Sequence, residues 1–437
     1  MATLAVALLP GVAAAQPAPD WKAVEAEAIR TIQSYVRIDT SNPPGDVTKA
    51  ADFLKAILER EGVPVTRYES GPGRSILLAR LKGSGSAKPL LLLHHMDVVP
   101  TDASRWRHPP FGADIADGNM WGRGTMDMKG LGVVQLLAFL SLKRQNVPLA
   151  RDVILMAVPD EETGGALGAD WMRANHYADF EPEYIIDEGG FGSRDLFAPG
   201  KLVFGISVAE KKILWLKVRA EGIAGHGSQP HDQNPNDRLT RALARLLSEP
   251  LPTSSFPVLE TMKARVGPLA VNKFNNAIQH STISITSLRS GVGDPPKANV
   301  IPSVAEATLD CRVLPGTTKD QWLAEIRRRL GDPEVKIEII YEGEDPIVTT
   351  QDSVLYRALE SAVKRKHPEA IVTPMTVPYG TDSNDFRPRG VKSYGFTPVI
   401  VPAAGVMSMH GDAEFLPVDA VGPAIQILFE ALRETVR

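Results

Sequence analysis

The sequence has almost no cysteine. Its 437 residues include one, Cys311, so no disulfide bond can form within the chain. Cys311 lies in the middle of a predicted strand, where a small apolar side chain is the ordinary choice, and this position argues against a thiol nucleophile. The lack of disulfides fits a cytosolic protein, and it fits equally well a large exported domain that has its own core.

The chain also lacks a strong excess of charge and a long apolar run. The net charge is −4 and charged residues make up 23% of the sequence. No strong field therefore favours nucleic acid or an anionic membrane. The sequence has neither a basic run interleaved with aromatic residues nor a glycine-rich phosphate loop of the Walker type. No apolar stretch is long enough to span a bilayer. We expect no nucleic-acid partner and no membrane span.

The first 18 residues differ from the rest because they are apolar and rich in alanine. The residues Ala13-Ala14-Ala15 resemble the small-residue cleavage site of a secretory signal, although no basic region precedes them. This segment favours a periplasmic or secreted protein. A disordered tail on a cytoplasmic protein is the alternative, and removal of residues 1–15 stays open.

Two regions of the chain alternate between helical and strand patterns. Residues 21–38, 48–62 and Leu131–Arg144 are predicted as helices. Short continuous apolar runs predict strands that are buried on both faces, as in a mostly parallel sheet. These runs are Ser75–Leu81, Leu90–His94, Val153–Val158, Tyr184–Ile186 and Val399–Val401. The pattern predicts an α/β domain formed by residues 19–208 and 346–437.

The middle of the chain has a different order of elements. The predicted order is β-α-β-β-α-β, which is typical of a ferredoxin-like α+β sandwich. The segments are Lys212–Ala220, Asp237–Ser248, His280–Leu288, Ala305–Leu314, Lys319–Leu330 and Val335–Tyr341. We expect this sandwich to be an insertion over residues 209–345. The proline-rich segment 249–275 is long for a loop, which predicts a functional or mobile segment.

Acids and histidines follow several of the predicted buried strands. They lie at His95-Met96-Asp97, Asp160-Glu161-Glu162, Asp187-Glu188 and Met409-His410, and Asp127 precedes a predicted helix. In open α/β sheets the ligand crevice lies beyond the carboxyl ends of the strands. We therefore expect these side chains to converge on one rim of the sheet.

The alternation of side chains along a strand separates the two adjacent histidines. His95 and Asp97 share one side, and His94 points to the other. His95 is then a candidate metal ligand, and the carboxylate of Asp97 can accept its second ring N–H and fix the tautomer. A lone His-x-Asp pair is also compatible with an ordinary structural hydrogen bond.

Glu161 and Glu162 are adjacent carboxylates that repel each other unless a cation or proton separates them. One of them can bind a metal while the other acts as a general base. An exposed acidic turn is the alternative interpretation. Two histidines with three or more carboxylates suit Zn²⁺ or a similar ion such as Co²⁺ or Mn²⁺, and one aspartate such as Asp127 can bridge two ions.

Eight segments together resemble the dinuclear zinc peptidases of clan MH, which include aminoacylase, glutamate carboxypeptidase, acetylornithine deacetylase and succinyl-diaminopimelate desuccinylase. The segments are LLLLHHMDVVP, MWGRGTMDMKG, VPDEETGG, YIIDEGG, AGHGSQP, ANVIP with LDCRVLPG, YGTDSNDF and MHGDAEFLP. They occur in the family's order from about residue 21 onwards. The wording DEGG and GTDSNDF is most similar to the branch of carboxypeptidase S and the N-fatty-acyl amino acid hydrolases.

The resemblance implies a role for each matching residue. It implies two divalent ions, one held by His95, Asp127 and Glu188, and the other by Glu162, His410 and the same Asp127. It implies further that Glu161 is the general base, that Asp97 supports His95, and that the Asp127–Met128 bond is cis. The choice of Glu188 over Asp187 rests on the resemblance alone.

The same resemblance assigns the inserted sandwich to dimerisation or to a lid, between two parts of a catalytic domain. It implies that His226, which lies in a glycine-flanked turn, reaches the active site of a partner subunit in a homodimer. Asn299 and Arg312 are expected to bind substrate, as is the loop that contains Gly380 and Thr381. Tyr379 departs from the pattern, since relatives often have a glycine there, and the shape of this loop is therefore in doubt.

The expected function is hydrolysis of an amide bond next to a free carboxylate, in a peptide or an N-acyl amino acid, through a metal-bridged water. The alternatives are a non-catalytic relative that binds metal or peptide, and a two-metal hydrolase of another substrate class. A phosphoesterase would need a cluster of basic residues that the motifs do not offer. The sequence does not identify the acyl group or the native metal.

Overall fold

The structure is a computed structural model, and it describes residues 18–251 and 254–437. The predicted signal-like segment 1–18 lies outside the described residues except for Ala18. Among the described helices, none is both long and apolar enough to cross a membrane.

The helices of the described chain are α1 Trp21–Val36, α2 Thr48–Arg60, α3 Lys129–Arg144, α4 Ala169–Asn175, α5 Pro235–Ser248, α6 Pro257–Val266, α7 Lys273–Gln279, α8 Lys319–Leu330, α9 Val354–Lys366, α10 Ala403–Val406 and α11 Val421–Thr435.

The strands are β1 Val65–Glu69, β2 Ser75–Leu81, β3 Ala87–His95, β4 Asp114–Ala116, β5 Asn119–Trp121, β6 Arg151–Val158, β7 Tyr184–Asp187, β8 Gly192–Ser193, β9 Val203–Glu210, β10 Lys212–Glu221, β11 Gly225–His226, β12 Thr282–Ser290, β13 Val300–Ile301, β14 Val304–Val313, β15 Lys336–Glu342, β16 Ile371–Val377, β17 Lys392–Gly395 and β18 Phe415–Pro417.

A nine-stranded mixed sheet forms the centre of the molecule, with the order β1-β2-β6-β3-β7-β17-β9-β16 and β8 paired to β9. The pairs β6–β3, β3–β7, β7–β17 and β9–β16 are parallel. Leu90–Leu93 of β3 are fully buried because helices cover both faces of the sheet, and nearly every residue of α3 is buried as well. The predicted α/β fold with a mostly parallel sheet is confirmed.

The sequence pattern misplaced the last part of this sheet. The predicted strand Val399–Val401 is buried, but Ile400 forms only an isolated bridge to Gly192. The sheet uses β16 and β17 instead, which were not predicted. Pro374 interrupts the apolar pattern of β16, and proline is a sign against an interior strand. β17 is only four residues long, too short for a clear pattern.

The ferredoxin-like sandwich is present. Its sheet has the order β12-β14-β10-β15 with antiparallel pairs throughout. Helices α5 and α8 cover one face, where Leu214, Leu216 and Val218 of β10 pack with α5 and α8 in a separate core. Alternation along β10 turns Ile213 and Trp215 to the opposite face.

The predicted loop 249–275 is wrong in large part, because it contains α6 and the start of α7. A proline at the first helical position favours the start of α6. Val258, Leu259 and Met262 of α6 pack in the core of the central sheet rather than in that of the sandwich. Both α6 and α7 therefore pack against the central core although they lie between residues 209 and 345. The boundaries of the inserted domain at 209 and 345 remain a proposal.

Candidate active site

The carboxyl ends of three adjacent strands position the predicted acidic rim. β6, β3 and β7 are neighbours in the sheet. His95 ends β3, Glu161 and Glu162 follow β6, and Glu188 follows β7. Asp127 comes two residues before α3, and His410 lies in the segment after α10. Parallel strands end at the same edge, so distant parts of the chain meet there.

The side chains at this edge form two groups that share Asp127. The first group is His95, Asp127 and Glu188, and the second is Asp127, Glu162 and His410. In the first, His95 Nε2 lies 3.1 Å from Asp127 Oδ1 and 3.8 Å from Glu188 Oε1. In the second, His410 Nε2 lies 3.0 Å from Asp127 Oδ2 and 3.2 Å from Glu162 Oε2. Each oxygen of Asp127 therefore faces a different histidine.

Burial and neighbouring negative charges raise the pKa of two carboxyl groups at this site. Burial raises the pKa of Glu188 well above its usual value, and the charges of Asp127 and Glu161 add to the effect. Burial likewise raises the pKa of Glu161 well above its usual value, and the charges of Glu162 and Asp127 act in the same direction. The cluster holds more negative charge than its surroundings can solvate.

The pKa values of the two histidines are raised as well, which favours their charged form. Hydrogen bonds with Asp127 and Glu162 raise the pKa of His410 to about 10. Burial alone would lower the pKa of His95, yet the hydrogen bond with Asp127 and the charges of Glu161 and Glu188 raise it well above its usual value. The site attracts positive charge strongly.

The cluster fits divalent metal ions by the chemistry of its donors. Each group offers one imidazole nitrogen with carboxylate oxygens, and the donor atoms lie within 4.8 Å of one another. Ligand atoms about 2.0–2.2 Å from a tetrahedral Zn²⁺ lie about 3.3–3.6 Å apart, which is close to the separations of 3.0–3.8 Å between the histidine nitrogens and the carboxylate oxygens here. A cation in each group would also compensate the crowded carboxylates. The Asp127–Met128 bond in this loop is cis, as the resemblance implies.

The structure corrects the predicted contact between Asp97 and His95. The Nδ1–H of His95 donates to the main-chain oxygen of Asp97 at 2.9 Å, and the Asp97 carboxylate lies 3.7 Å away. That carboxylate accepts from the Glu161 and Glu162 amides at 3.3 Å each, and from Asn42 Nδ2 at 2.9 Å. The main-chain oxygen of Asp97 therefore supports His95, and the Asp97 side chain holds the turn that carries Glu161 and Glu162.

Glu188 and Asp187, between which the sequence alone did not decide, point to different places. Glu188 joins the cluster. Asp187 Oδ2 accepts from the Ser383 amide at 2.9 Å. Asp187 therefore anchors the loop at 381–383 rather than facing the metal groups.

Sequence reasoning missed the buried ion pair that holds Asp127. Glu414 Oε1 accepts from the amides of Met126 and Asp127 at 2.8 and 3.1 Å. Its Oε2 accepts from Arg123 Nη1 at 2.6 Å, and both side chains are almost completely buried. Both residues lie inside motifs that carry the resemblance, but a charged residue in a motif gives no sign that it is buried.

The metal groups open into a cleft of about 550 Å³. Of the predicted substrate-binding residues, Arg312, Gly380 and Thr381 line this cleft. Lys211, which the sequence did not single out, lines it too, and its side chain is only 2% exposed. A Cβ on Gly380 would come within 2.9 Å of Ile213 Cδ1, so this close approach of the loop to β10 favours glycine.

Arg312 is held by an acid on its own strand. Its Nε and Nη2 donate to Asp310 at 2.8 and 3.1 Å. The indole of Trp215 donates to the same carboxylate at 3.1 Å. Thr381, in turn, is anchored to Glu210 through its amide at 2.7 Å and its hydroxyl at 2.9 Å. Thr381 therefore shapes the loop, and Arg312 has a fixed orientation in the cleft.

His226 and Asn299 do not join the cleft within one chain. Both are exposed, and they lie next to each other because the Gly227 amide donates to the Asn299 carbonyl at 2.7 Å. The ring Nδ1 of His226 pairs with the Ser228 hydroxyl at 2.7 Å. The role that the resemblance assigns to them stays a prediction.

Known proteins resemble this chain over most of its length. The sequence profile described as Peptidase family M20/M25/M40 matches residues 91–434. The N-fatty-acyl-amino acid synthase/hydrolase PM20D1 of Homo sapiens is 30% identical over 391 residues, which cover 82% of this chain and 76% of that protein. Aminoacylase-1 of Sus scrofa is 26% identical over 381 residues, which cover 86% of this chain and 88% of the relative.

Solved structures show the same fold. The M20 family metallo-carboxypeptidase Sso-CP2 from Sulfolobus solfataricus superposes with a TM-score of 0.73 at 20% identity, over 93% of this chain and 99% of the other. Human carnosine dipeptidase 1 gives a TM-score of 0.72 at 16% identity, over 96% of this chain and 100% of the other.

Proposed function

Because this chain belongs to peptidase family M20/M25/M40, we propose that its cleft hydrolyses the amide bond of a peptide or N-acyl amino acid that bears a free carboxylate. Among its relatives are proteins named as hydrolases of such compounds. The observation that carries the proposal is the pair of ligand groups that share Asp127, with Glu161 beside them in the same cleft.

His95, Asp127 and Glu188 would hold one divalent ion, and Glu162, His410 and Asp127 would hold the other. Bound ions of this kind supply a Lewis acid that polarises a carbonyl and lowers the pKa of water toward neutrality. Imidazole and carboxylate donors favour Zn²⁺, and Co²⁺ or Mn²⁺ accept similar ligands.

Glu161 is the general base of the proposed reaction. It takes a proton from the attacking water, and later gives a proton to the leaving amide nitrogen, so that an acid and an amine are released. The carboxylate of Asp97 holds the Glu161 amide at 3.3 Å, and this contact fixes the direction of the base. Geometry of this kind is worth several powers of ten in rate.

The basic side of the cleft supports a carboxylate on the substrate. Arg312 presents a planar guanidinium, which suits a carboxylate, and the buried ammonium of Lys211 lies in the same wall. Apolar and aromatic side chains line part of the cleft, and two of them, Trp215 and Tyr341, have ring centroids 4.9 Å apart with the ring planes tilted by 41°. This wall favours an apolar acyl group or side chain over a polar one.

A homodimer is also part of the proposal. His226 and Asn299 are exposed and lie outside the cleft, and a partner subunit would bring them to it. The small residues Ala13-Ala14-Ala15 support export to the periplasm or medium.

The variant Glu161→Gln tests the assignment of the base. We expect it to keep its metal, measured by elemental analysis, and to lose about 10³-fold or more in kcat, because no carboxylate remains to accept the proton. The assay is a panel of dipeptides and N-acyl amino acids, with and without chelator, and with carboxamide-blocked analogues as controls. Near-normal turnover by the variant would contradict the assignment. Wild-type protein that binds metal but cleaves nothing would point to a non-catalytic binding protein.

A further inference from the structure

Tyr379 occupies the cleft wall next to the metal groups, and no role has yet been given to it. It follows β16 and precedes the loop of Gly380 and Thr381. It lines the same cleft as Glu161, Glu188 and His410. Its phenol oxygen lies 3.4 Å from the carbonyl oxygen of Gly189, the residue after Glu188.

That contact leaves the phenol hydroxyl free for a better acceptor. A hydroxyl donor normally lies about 2.7–2.8 Å from its acceptor, so a separation of 3.4 Å is a weak bond. The side chain is partly exposed toward the cleft, while its ring packs against the central core. Because its bond to the Gly189 carbonyl is weak, the phenol O–H can donate to a substrate oxygen instead at a small cost in free energy.

The surroundings of Tyr379 limit its movement. Thr381 is tied to Glu210 by two hydrogen bonds of 2.7 and 2.9 Å. Glu210 also accepts from Arg387 at 2.6 Å, and both of these side chains are 1% exposed. The loop is therefore anchored in the core one residue beyond Gly380. A side chain on such a support is preoriented for the cleft.

The hydroxyl lies close to the two ligand groups. Tyr379 lines the cleft together with Asp127, Glu161 and Glu188, and its oxygen is 3.4 Å from the carbonyl oxygen of Gly189, which follows Glu188 in the chain. Arg312 and Lys211, which would hold the substrate carboxylate, belong to the sandwich side. A substrate whose carboxylate is held by Arg312 and Lys211, and whose amide lies at the two ligand groups, would have its scissile carbonyl near Tyr379.

We propose that Tyr379 is a catalytic residue that donates a hydrogen bond from its own subunit to the oxyanion formed when water attacks the substrate carbonyl. The proposal rests on the hydrolase function proposed above. As the carbonyl carbon becomes tetrahedral, its π electrons move to the oxygen, and the neutral phenol stabilises that charge without giving up its proton. His226 is exposed outside the cleft, so Tyr379 supplies the donor that one chain has on its own.

The variant Tyr379→Phe keeps the ring and removes only the donor. We expect kcat to fall about 10²-fold, as for the loss of one oxyanion donor elsewhere, with KM changed less than about threefold because the ground state does not use this bond. Metal content should stay that of the wild type. Tyr177→Phe is the matched control, since it removes the hydroxyl of another partly buried tyrosine that does not line the cleft.

Binding of a phosphinate analogue of the tetrahedral state separates a catalytic role from a structural one. The analogue should lose affinity for Tyr379→Phe by about the same factor as kcat, while binding of the product amino acid stays unchanged. Unchanged kcat, a rise in KM alone, or a loss of metal from the variant would each overturn the proposal. Suppose that the wild-type holoenzyme cleaves none of the amides, yet the phosphinate analogue binds Tyr379→Phe more weakly than wild type. The proposed hydrolase function then fails, while the role of Tyr379 as a hydrogen-bond donor is supported. If the analogue binds the wild type and Tyr379→Phe with equal affinity, the donor role of Tyr379 is overturned and the proposed hydrolase function is not.

Discussion

At the scale of single residues, Glu161 and Glu162 are neighbours in the sequence with different surroundings. Glu162 is bound at both oxygens, since Oε1 accepts from the Val99 amide at 3.2 Å and Oε2 lies 3.2 Å from His410. The Asp97 carboxylate holds the main chain of both residues. These contacts hold the Glu162 carboxylate in place, which suits the ligand role proposed for it. The residues alone predicted one ligand and one base without deciding between the two, and the resemblance assigned the base to Glu161.

If Lys211 binds the substrate carboxylate as proposed, that binding depends on pH. Burial, together with the charge of Arg312, lowers the pKa of Lys211 to about 7. Its ammonium is present below this pH and is lost as the pH rises through it. We expect KM for carboxylate substrates to rise above pH 7, measured as kcat and KM between pH 6 and 9. An effect on kcat alone would argue against this role.

Two variants isolate the contribution of Lys211. Lys211→Arg keeps a permanent charge, so its KM should no longer rise with pH, and Lys211→Met should have a high KM throughout. Lys217→Met is the matched control, because Lys217 lies on β10, which begins directly after Lys211, and pairs with Glu338 at the surface. Parallel pH profiles for wild type and Lys211→Arg would show that another group titrates.

At the scale of elements, a strand and a loop far apart in the chain place the shared ligand. Glu414 lies immediately before β18, and β18 pairs with β5 just ahead of the loop that carries Asp127. Glu414 accepts the amides of Met126 and Asp127 at 2.8 and 3.1 Å. The side chains of Arg123 and Glu414 are 2% and 0% exposed, so their position is set by packing as well as by hydrogen bonds.

Glu414→Gln should therefore weaken metal binding. The variant keeps the size of the side chain but loses its charge beside Arg123, and a partner of this kind typically changes metal affinity by about 10–100-fold. Thermal unfolding should also shift, because breaking a buried ion pair costs about 3–5 kcal/mol. Metal titration with a competing chelator measures the first effect. Asp412→Asn is the control, because it removes the charge of an acid that pairs with Arg105 at the surface. Equal metal affinities of the two variants would contradict the positioning role of Glu414.

At the scale of the whole molecule, the sequence predicted the parts that depend on local pattern. Continuous apolar runs predicted much of the central sheet and the convergence at the carboxyl ends of β3, β6 and β7, and alternating patterns predicted the sandwich. It did not predict β16, β17 or α6, whose places depend on partners distant in sequence. The sequence also did not predict that Glu414 and Asn42 are buried, because the burial of a polar residue depends on contacts made only in the folded chain.

The proposed dimer has consequences for activity that a mixture of variants can measure. If His226 completes the site of a partner, Glu161→Gln and His226→Ala remove different halves of one site. A hybrid dimer then has one site with an intact Glu161 and, from the partner, an intact His226. Statistical exchange makes half of the dimers hybrids, so about a quarter of the sites should be restored.

The experiment mixes the two variants after dissociation and compares the specific activity with that of each variant alone. His226→Ala should keep some turnover, since Tyr379 remains in each chain, so the gain must be measured above this level. A mixture with only the average activity of its parts, in a sample shown by light scattering to be dimeric, would place His226 in its own subunit's site or outside the reaction. Restored activity requires contact between subunits. The reason is that His226 and Asn299 are exposed and do not line the cleft of their own chain.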